Sequence, residues 1–125
     1  CSCSKAVAAF SPDLFPTGDM EGQLRAYTEF TVTNLHDLEA EFETIRQQGF
    51  AECVEEIERG MCSVAAPLAP SGPGALMSIG ATGSMRVFTP AFREKLGRQI
   101  VQIAGELSTG LGWGVAQETG RTSLP

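Results

Sequence analysis

The chain has 125 residues, 42% of them apolar and 19% charged, a balance that excludes a disordered or fibrous protein and fits one globular domain or part of one. Nine Lys and Arg against fifteen Asp and Glu give a formal charge of −6, which excludes a basic nucleic-acid-binding face on this piece. No apolar run approaches the ~20 residues of a membrane span, and no secretory signal pattern opens the chain.

The first residue is Cys1 rather than Met, which reads as a cut from something longer. Ser4–Phe10 carries Ala6, Ala9 and Phe10 at helical spacing and predicts a short packed helix. Ser11-Pro12 ends it, because the residue before proline resists the α conformation. Thr17 or Asp19 then caps an expected helix with Met20, Leu24 and Tyr27 on one face, although Gly18 and Gly22 weaken it. Thr28–Thr33 alternates Phe30 and Val32 with polar residues and reads as a brief extended stretch.

Asn34–Gln48 is the clearest helix. Asn34 suits the N-cap, Leu35, Leu38, Phe42 and Ile45 form one apolar stripe, and Gly49 suits the left-handed position past the end. Cys62–Leu68 and Gly74–Ala81 are apolar runs of strand length separated by the turn formers Ala69–Pro73. They predict a hairpin of two largely buried antiparallel strands, rich in small residues that leave room above the sheet for a helix or a ligand. Thr89 and Pro90 open a last helix, with Phe92, Leu96, Ile100, Ile103 and Leu107 as its apolar stripe, running to about Gly110 or Gly112. Trp113 follows, and residues 114–125 read as a flexible tail.

Residue chemistry alone goes little further. The four cysteines, Cys1, Cys3, Cys53 and Cys62, lack zinc-ribbon spacing. Two readings stand side by side: reduced cytoplasmic thiols, or a thiol-lined or metal-binding pocket using Cys3 and Cys53. The only histidine, His36, sits on a polar helix face. The Glu52, Glu55, Glu56 and Glu58 cluster reads as a solvated edge with one structural glutamate. Gly80–Ser84 is not a phosphate loop, since no Lys-Ser/Thr follows it.

Longer strings carry a resemblance. Ser4-Lys5-Ala6 with apolar residues after it, then LEAEFETIRQQGFAECVEEIERGMCSVAAPL, then GALMSIGATGSM and a terminal amphipathic helix resemble the effector-binding domain of the isocitrate lyase regulator (IclR) family of bacterial transcription factors. The most specific part is Ile45–Pro67. The resemblance covers about Ser2 to Leu111, and residues 1–113 are assigned to the C-terminal part of such a domain. It implies an α+β, GAF-like fold: a twisted antiparallel sheet flanked by helices, incomplete at its N-terminus. It also implies a cytoplasmic, non-catalytic sensor of a small metabolite, an organic or aromatic acid, that forms homodimers or tetramers. Operator DNA would be contacted by a separate winged helix-turn-helix domain absent from this chain, which would explain an acidic piece of a DNA-binding protein. No cofactor and no membrane are implied.

The family's ligand positions carry over one at a time. Backbone groups at the start of the first helix fall on Ser2 and Cys3, where free N–H groups suit a carboxylate. An acidic position falls on Cys53, a cysteine position on Ser63, and an apolar wall position on Met61. The serine string of the second hairpin strand leaves Ser78 and replaces the next hydroxyl by Gly80. Loss of the acid and of that hydroxyl, the latter expected to enlarge the cavity, predicts a ligand bulkier or less polar than a two- or three-carbon keto acid. Cys3 and Cys53 then stand as candidate ligands for a soft metal or targets of an oxidant. The competing readings are a GAF-like enzyme with Cys53 or Cys62 as nucleophile and His36 as the only available base, and a dimerisation scaffold with a filled pocket.

Overall fold

The computed structural model describes residues 1–68 and 77–111. In chain order they form helix α1 (Ser2–Ala9), a short 3-10 turn (Thr17–Met20), helix α2 (Leu35–Gln48), strands β1 (Ala51–Val54), β2 (Met61–Pro67) and β3 (Ser78–Ser84), and helix α3 (Pro90–Gly110). The strands form one antiparallel sheet in the order β1-β2-β3. Helices α1 and α2 lie on one face and α3 on the other, so the chain is α+β with a core on each side of the sheet.

The local signals explain the two long helices. The Asn34 side chain accepts the Asp37 N–H at 2.9 Å, and Gly49, at φ +88°, returns its N–H to the Ile45 carbonyl at 2.7 Å. Leu38, Phe42 and Ile45 are buried. In α3, Thr89 Oγ1 accepts the Phe92 N–H at 3.3 Å and Pro90 takes the first helical position. Helix α1 reaches the sheet closely because Ala6 and Ala9 are fully buried and small.

Three expectations change. The helix expected to present Met20, Leu24 and Tyr27 is only the 3-10 turn, and Gly22 at φ +75° follows it in a conformation that breaks helical continuity. Thr28–Thr33 is a turn, not an extended stretch. The Thr31 hydroxyl oxygen accepts the Tyr27 and Thr28 N–H groups, while the Thr28 and Thr31 hydroxyls donate to the Glu55 and Glu56 carbonyls. Side-chain bonds thus replace the ladder that a strand would need. Strand β2 is largely buried, but β3 is half-exposed because it forms an edge of the described sheet. The turn expected at Ala69–Pro73, the first residues of the Gly74–Ala81 run, Trp113 and the 114–125 tail lie outside the described residues.

Helix α3 is rotated from its expected orientation. Its buried row is Gly97, Ile100, Ala104 and Ser108, whereas Phe92, Ile103 and Leu107 are exposed. The reason is close approach: a Cβ on Gly97 would lie 2.4 Å from the Phe50 ring, so only a small residue fits there. The sheet therefore selects the small-residue face of α3 rather than its most apolar one.

Candidate functional site

Strand alternation sorts the residues between the two faces. Cys62, Val64 and Ala66 pack beneath α3 with Phe50, Phe88 and Ile100. Ala51 and Ala65 pack beneath α1 and α2, so their strand neighbours two residues away, Cys53 and Ser63, belong to the α1 face. Register places Cys53 opposite Ser63, Ser63 opposite Thr82, Ala65 opposite Gly80, and Met61 opposite Ser84. Ser78, two residues before Gly80, shares this face.

The first turn of α1 sits on this floor. Ser2, only 1% exposed, donates its hydroxyl to Ser63 Oγ at 2.7 Å. Ser78 Oγ donates to the Cys3 carbonyl at 3.3 Å. The opening N–H groups of a helix have no partner four residues back, and they carry the positive end of its dipole. The seven residues singled out in the sequence therefore lie on one face of the sheet or on the helix end above it. Thr82, beside Ser63 in the same row, is an addition that the strand register supplies. It had no separate signal in the sequence because its relevance depends on its partner strand.

Backbone bonds fix how β3 faces β2. Leu68 N–H donates to the Met77 carbonyl at 2.9 Å, and Met85 N–H donates to the Gly60 carbonyl at 2.8 Å. Antiparallel alternation then turns the backbone N–H and C=O of Ser78, Gly80, Thr82 and Ser84 away from β2. These are the residues whose side chains face α1. The site thus combines a helix N-terminus, two serine hydroxyls and a threonine, a set suited to hydrogen-bonding an anion or a polar small molecule.

Two sequence-level arguments are altered by the geometry. A Cβ on Gly80 would lie 2.8 Å from the Val64 carbonyl oxygen, 2.9 Å from Ala65 Cβ and 3.2 Å from Cys3 Sγ. Gly80 therefore lets α1 settle on the strand; it does not open a cavity. Cys3 Sγ is beside β3, whereas Cys53 is on β1. The intervening β2 sets the two positions roughly 10 Å apart, two strand spacings, so they do not share one metal ion. Among the described residues, no group of three His, Cys, Asp or Glu side chains is arranged to hold a metal.

Lys5 anchors the other end of this helix turn. It is 9% exposed, with Nζ 2.6 Å from a Glu56 carboxylate oxygen, 2.7 Å from Glu41 Oε2 and 3.3 Å from the Glu52 carbonyl. Glu56 is thus structural, but the cluster is not otherwise a solvated edge: Glu52 pairs with Arg93 at 3.4 Å and Glu55 Oε1 accepts the Gly60 N–H at 2.8 Å. Burial alone would lower the Lys5 pKa, but hydrogen bonds and attraction from the two carboxylates raise it above its ordinary value.

Thiol environments differ. Cys1 and Cys3 are exposed, and Cys53 and Cys62 are buried. Burial pushes the Cys62 thiol above its ordinary range, outweighing the pull of Arg93 toward thiolate. His36 is exposed on the first turn of α2. In the native protein an aromatic disulfide reagent is expected to titrate Cys1 and Cys3 rapidly. Cys53 and Cys62 should react only when denaturant is added. Rapid native labelling of Cys62, located by peptide mass spectrometry, would contradict this environment.

A family model described as bacterial transcriptional regulator IclR C-terminal matches residues 1–109. The crystal structure of the Thermotoga maritima IclR is 29% identical, with a TM-score of 0.79 over 90% of this chain and 46% of that one. The Agobacterium tumefaciens repressor BlcR is 22% identical, with a TM-score of 0.76 and the same coverage. The inducer-binding domain of PobR from Acinetobacter, a double mutant in complex with 3-hydroxybenzoic acid, is 19% identical, with a TM-score of 0.68 over 83% of this chain and 61% of that one. The chain spans just under half the length of the first two structures. No curated protein matches.

Proposed function

The chain belongs to the family of bacterial transcriptional regulator IclR C-terminal domains, and on that premise we propose that it senses a small organic or aromatic acid for an IclR-type regulator. The observation carrying this reading is the N-terminus of α1, held onto the Cys53–Ser63–Thr82 row by the 2.7 Å Ser2–Ser63 hydrogen bond. In this reading the ligand carboxylate meets the Ser2 and Cys3 N–H groups, whose alignment with the helix dipole favours an anion. Ser63, Ser78 and Thr82 bond its remaining polar atoms, and Cys53, Met61 and the Gly80 backbone complete the walls. The 3-hydroxybenzoic acid complex of PobR supports an aromatic acid as one candidate.

The expected output is a population shift. A ligand favouring one arrangement of the oligomer changes the DNA affinity of a separate winged helix-turn-helix domain by its difference in affinity between the two states. The setting is cytoplasmic. Among the described residues, no helix is long and apolar enough to cross a membrane.

A thermal-shift panel tests the ligand class. Keto acids and hydroxybenzoates are compared with their neutral amides. The carboxylates are expected to raise the melting temperature and the amides to leave it unchanged, with hydroxybenzoates exceeding the two- and three-carbon keto acids. That order follows from Cys53, where a weakly polar thiol stands in place of an acidic side chain, so the wall offers one acceptor fewer to a small polar acid and suits a less polar ligand. Stabilisation by amides and acids alike would overturn carboxylate recognition, and preference for the smallest keto acids would overturn the expected preference for a less polar ligand.

A further inference from the structure

Glu52 uses its two acceptor groups on different sides of the sheet. Glu55 N–H donates to the Met61 carbonyl, so antiparallel alternation turns the backbone of Glu52 outward, along the edge of β1. There its carbonyl accepts Lys5 Nζ of α1 at 3.3 Å. Its carboxylate belongs to the α3 face, with Val54, and meets Arg93 Nε at 3.4 Å. Arg93 Nη1 then donates to the Phe88 carbonyl at 2.7 Å, in the link between β3 and α3. The Arg93 side chain is 12% exposed, so these contacts are largely shielded from water.

The two ends of this chain of contacts differ in what they hold. At one end, α1 has no side-chain cap of its own, so tertiary bonds set where its opening N–H groups point. Ser2 ties the first turn to β2, Ser78 ties it to β3, and Lys5 ties it to β1. At the other end, Arg98, Gln102 and Thr109 bond within α3, while Arg93 reaches across to β1. The Glu52 carbonyl and side chain hang from one Cα and one rigid peptide plane, so a displacement of the first moves the second.

We propose that Glu52 couples the ligand site to α3. Occupation of the α1 N-terminus is transmitted around the edge of the sheet through Lys5, the Glu52 backbone, its carboxylate and Arg93. The physical link rests on these contacts alone, and its use in signalling rests on the ligand reading above. Such coupling is a free energy shared by both ends, so it acts in both directions. A ligand at α1 tightens the seat of α3, and a change at Arg93 alters the affinity for a ligand on the opposite face of the sheet.

Two measurements on the whole chain test it, with circular dichroism to verify folding. The first needs no ligand. A double-mutant cycle in denaturant combines Arg93→Met with a neutral Lys5 cluster, made of Lys5→Met, Glu41→Gln and Glu56→Gln together. Changes at distant sites add when they share no partner. Here the combined unfolding constant is expected to differ about fivefold from the product of the separate effects. The deviation should vanish when Glu52→Ala is present throughout, since that change removes the carboxylate and keeps the carbonyl. Additivity in the first cycle, or a deviation that survives Glu52→Ala, would overturn the link. The second measurement is calorimetric titration with 3-hydroxybenzoate. Arg93→Met and Glu52→Ala should each weaken binding by about threefold. Unchanged affinity in both variants would overturn the transmission. A wild type that ignores 3-hydroxybenzoate yet shows the non-additive cycle would overturn the ligand class and leave the link in place.

Discussion

Replacing Lys5 with alanine is expected to destabilise the fold by about 3 kcal/mol, the lower part of the range for breaking a buried ion pair. The loss comes from what remains behind. The Glu56 side chain is 13% exposed and Glu41 is 35% exposed, so one carboxylate is stranded nearly dry and the other retains part of its hydration. Helix α1 also loses its tie to both α2 and the turn after β1. Lys5→Met combined with Glu41→Gln and Glu56→Gln should recover much of the loss, because the buried charges are removed together. Chemical denaturation of the variants measures both effects. A Lys5→Ala midpoint equal to wild type would show that the cluster contributes nothing.

The same cluster sets a pH dependence. The folded-state pKa of Lys5 lies above its ordinary value of 10.5, so the folded state holds this proton more tightly than the unfolded chain does. Its contribution is therefore fully present below about pH 10.5, and it is lost as pH rises through the folded-state value. Wild type is expected to lose stability on this alkaline limb more steeply than Lys5→Met. Parallel limbs would remove Lys5 as the cause.

The second large effect is a difference in sign within one helix. Alanine normally stabilises a helix interior relative to glycine by about 1 kcal/mol. Gly105→Ala is expected to gain up to that amount, since nothing lies within 4 Å of its added Cβ. Gly97→Ala should lose 1–3 kcal/mol, roughly the cost of overpacking a core, because its Cβ would fall 2.4–2.6 Å from three atoms of the buried Phe50 ring. Phe50→Ala should itself cost about 3–5 kcal/mol. In the double variant the Gly97→Ala penalty should shrink or reverse, because the ring it strikes is gone. Melting curves for the four variants give the comparison, and stabilisation by Gly97→Ala in wild type would refute the close approach of α3.

The elements legible in the sequence were those governed by neighbours along the chain. Asn34 and Gly49 bracket α2, and both make the cap bonds that their residue types favour. Thr89 and Pro90 likewise open α3, and the apolar run after Met61 forms β2. The family strings were legible in the same way, and through that resemblance Ser2, Cys3, Cys53, Met61, Ser63, Ser78 and Gly80 are proposed as ligand positions. The strand register places the five strand residues on one face.

The rest depends on residues far apart in sequence. Nothing local to Lys5 indicates that Glu41 and Glu56 will close around it, since those partners come from α2 and the β1–β2 turn. The Thr28 and Thr31 hydroxyls cap carbonyls of Glu55 and Glu56, which turned an apparently alternating segment into a tight loop. Gly80 looked like added space until α1 brought Cys3 against it.

The sequence by itself determined helices α1, α2 and α3 and strand β2, where the long helices begin and end, and to which family the chain is similar. These features follow from caps, periodicity and short motifs, all readable within a few residues. Tertiary structure alone decided which side of α3 meets the sheet, because the close approach of the Phe50 ring admits only a small residue at Gly97 and so turns the Gly97, Ile100, Ala104 and Ser108 row inward rather than the more apolar face. It also decided that the polar residues of β1, β2 and β3 form one row beneath α1, since strand register is set by pairing between segments.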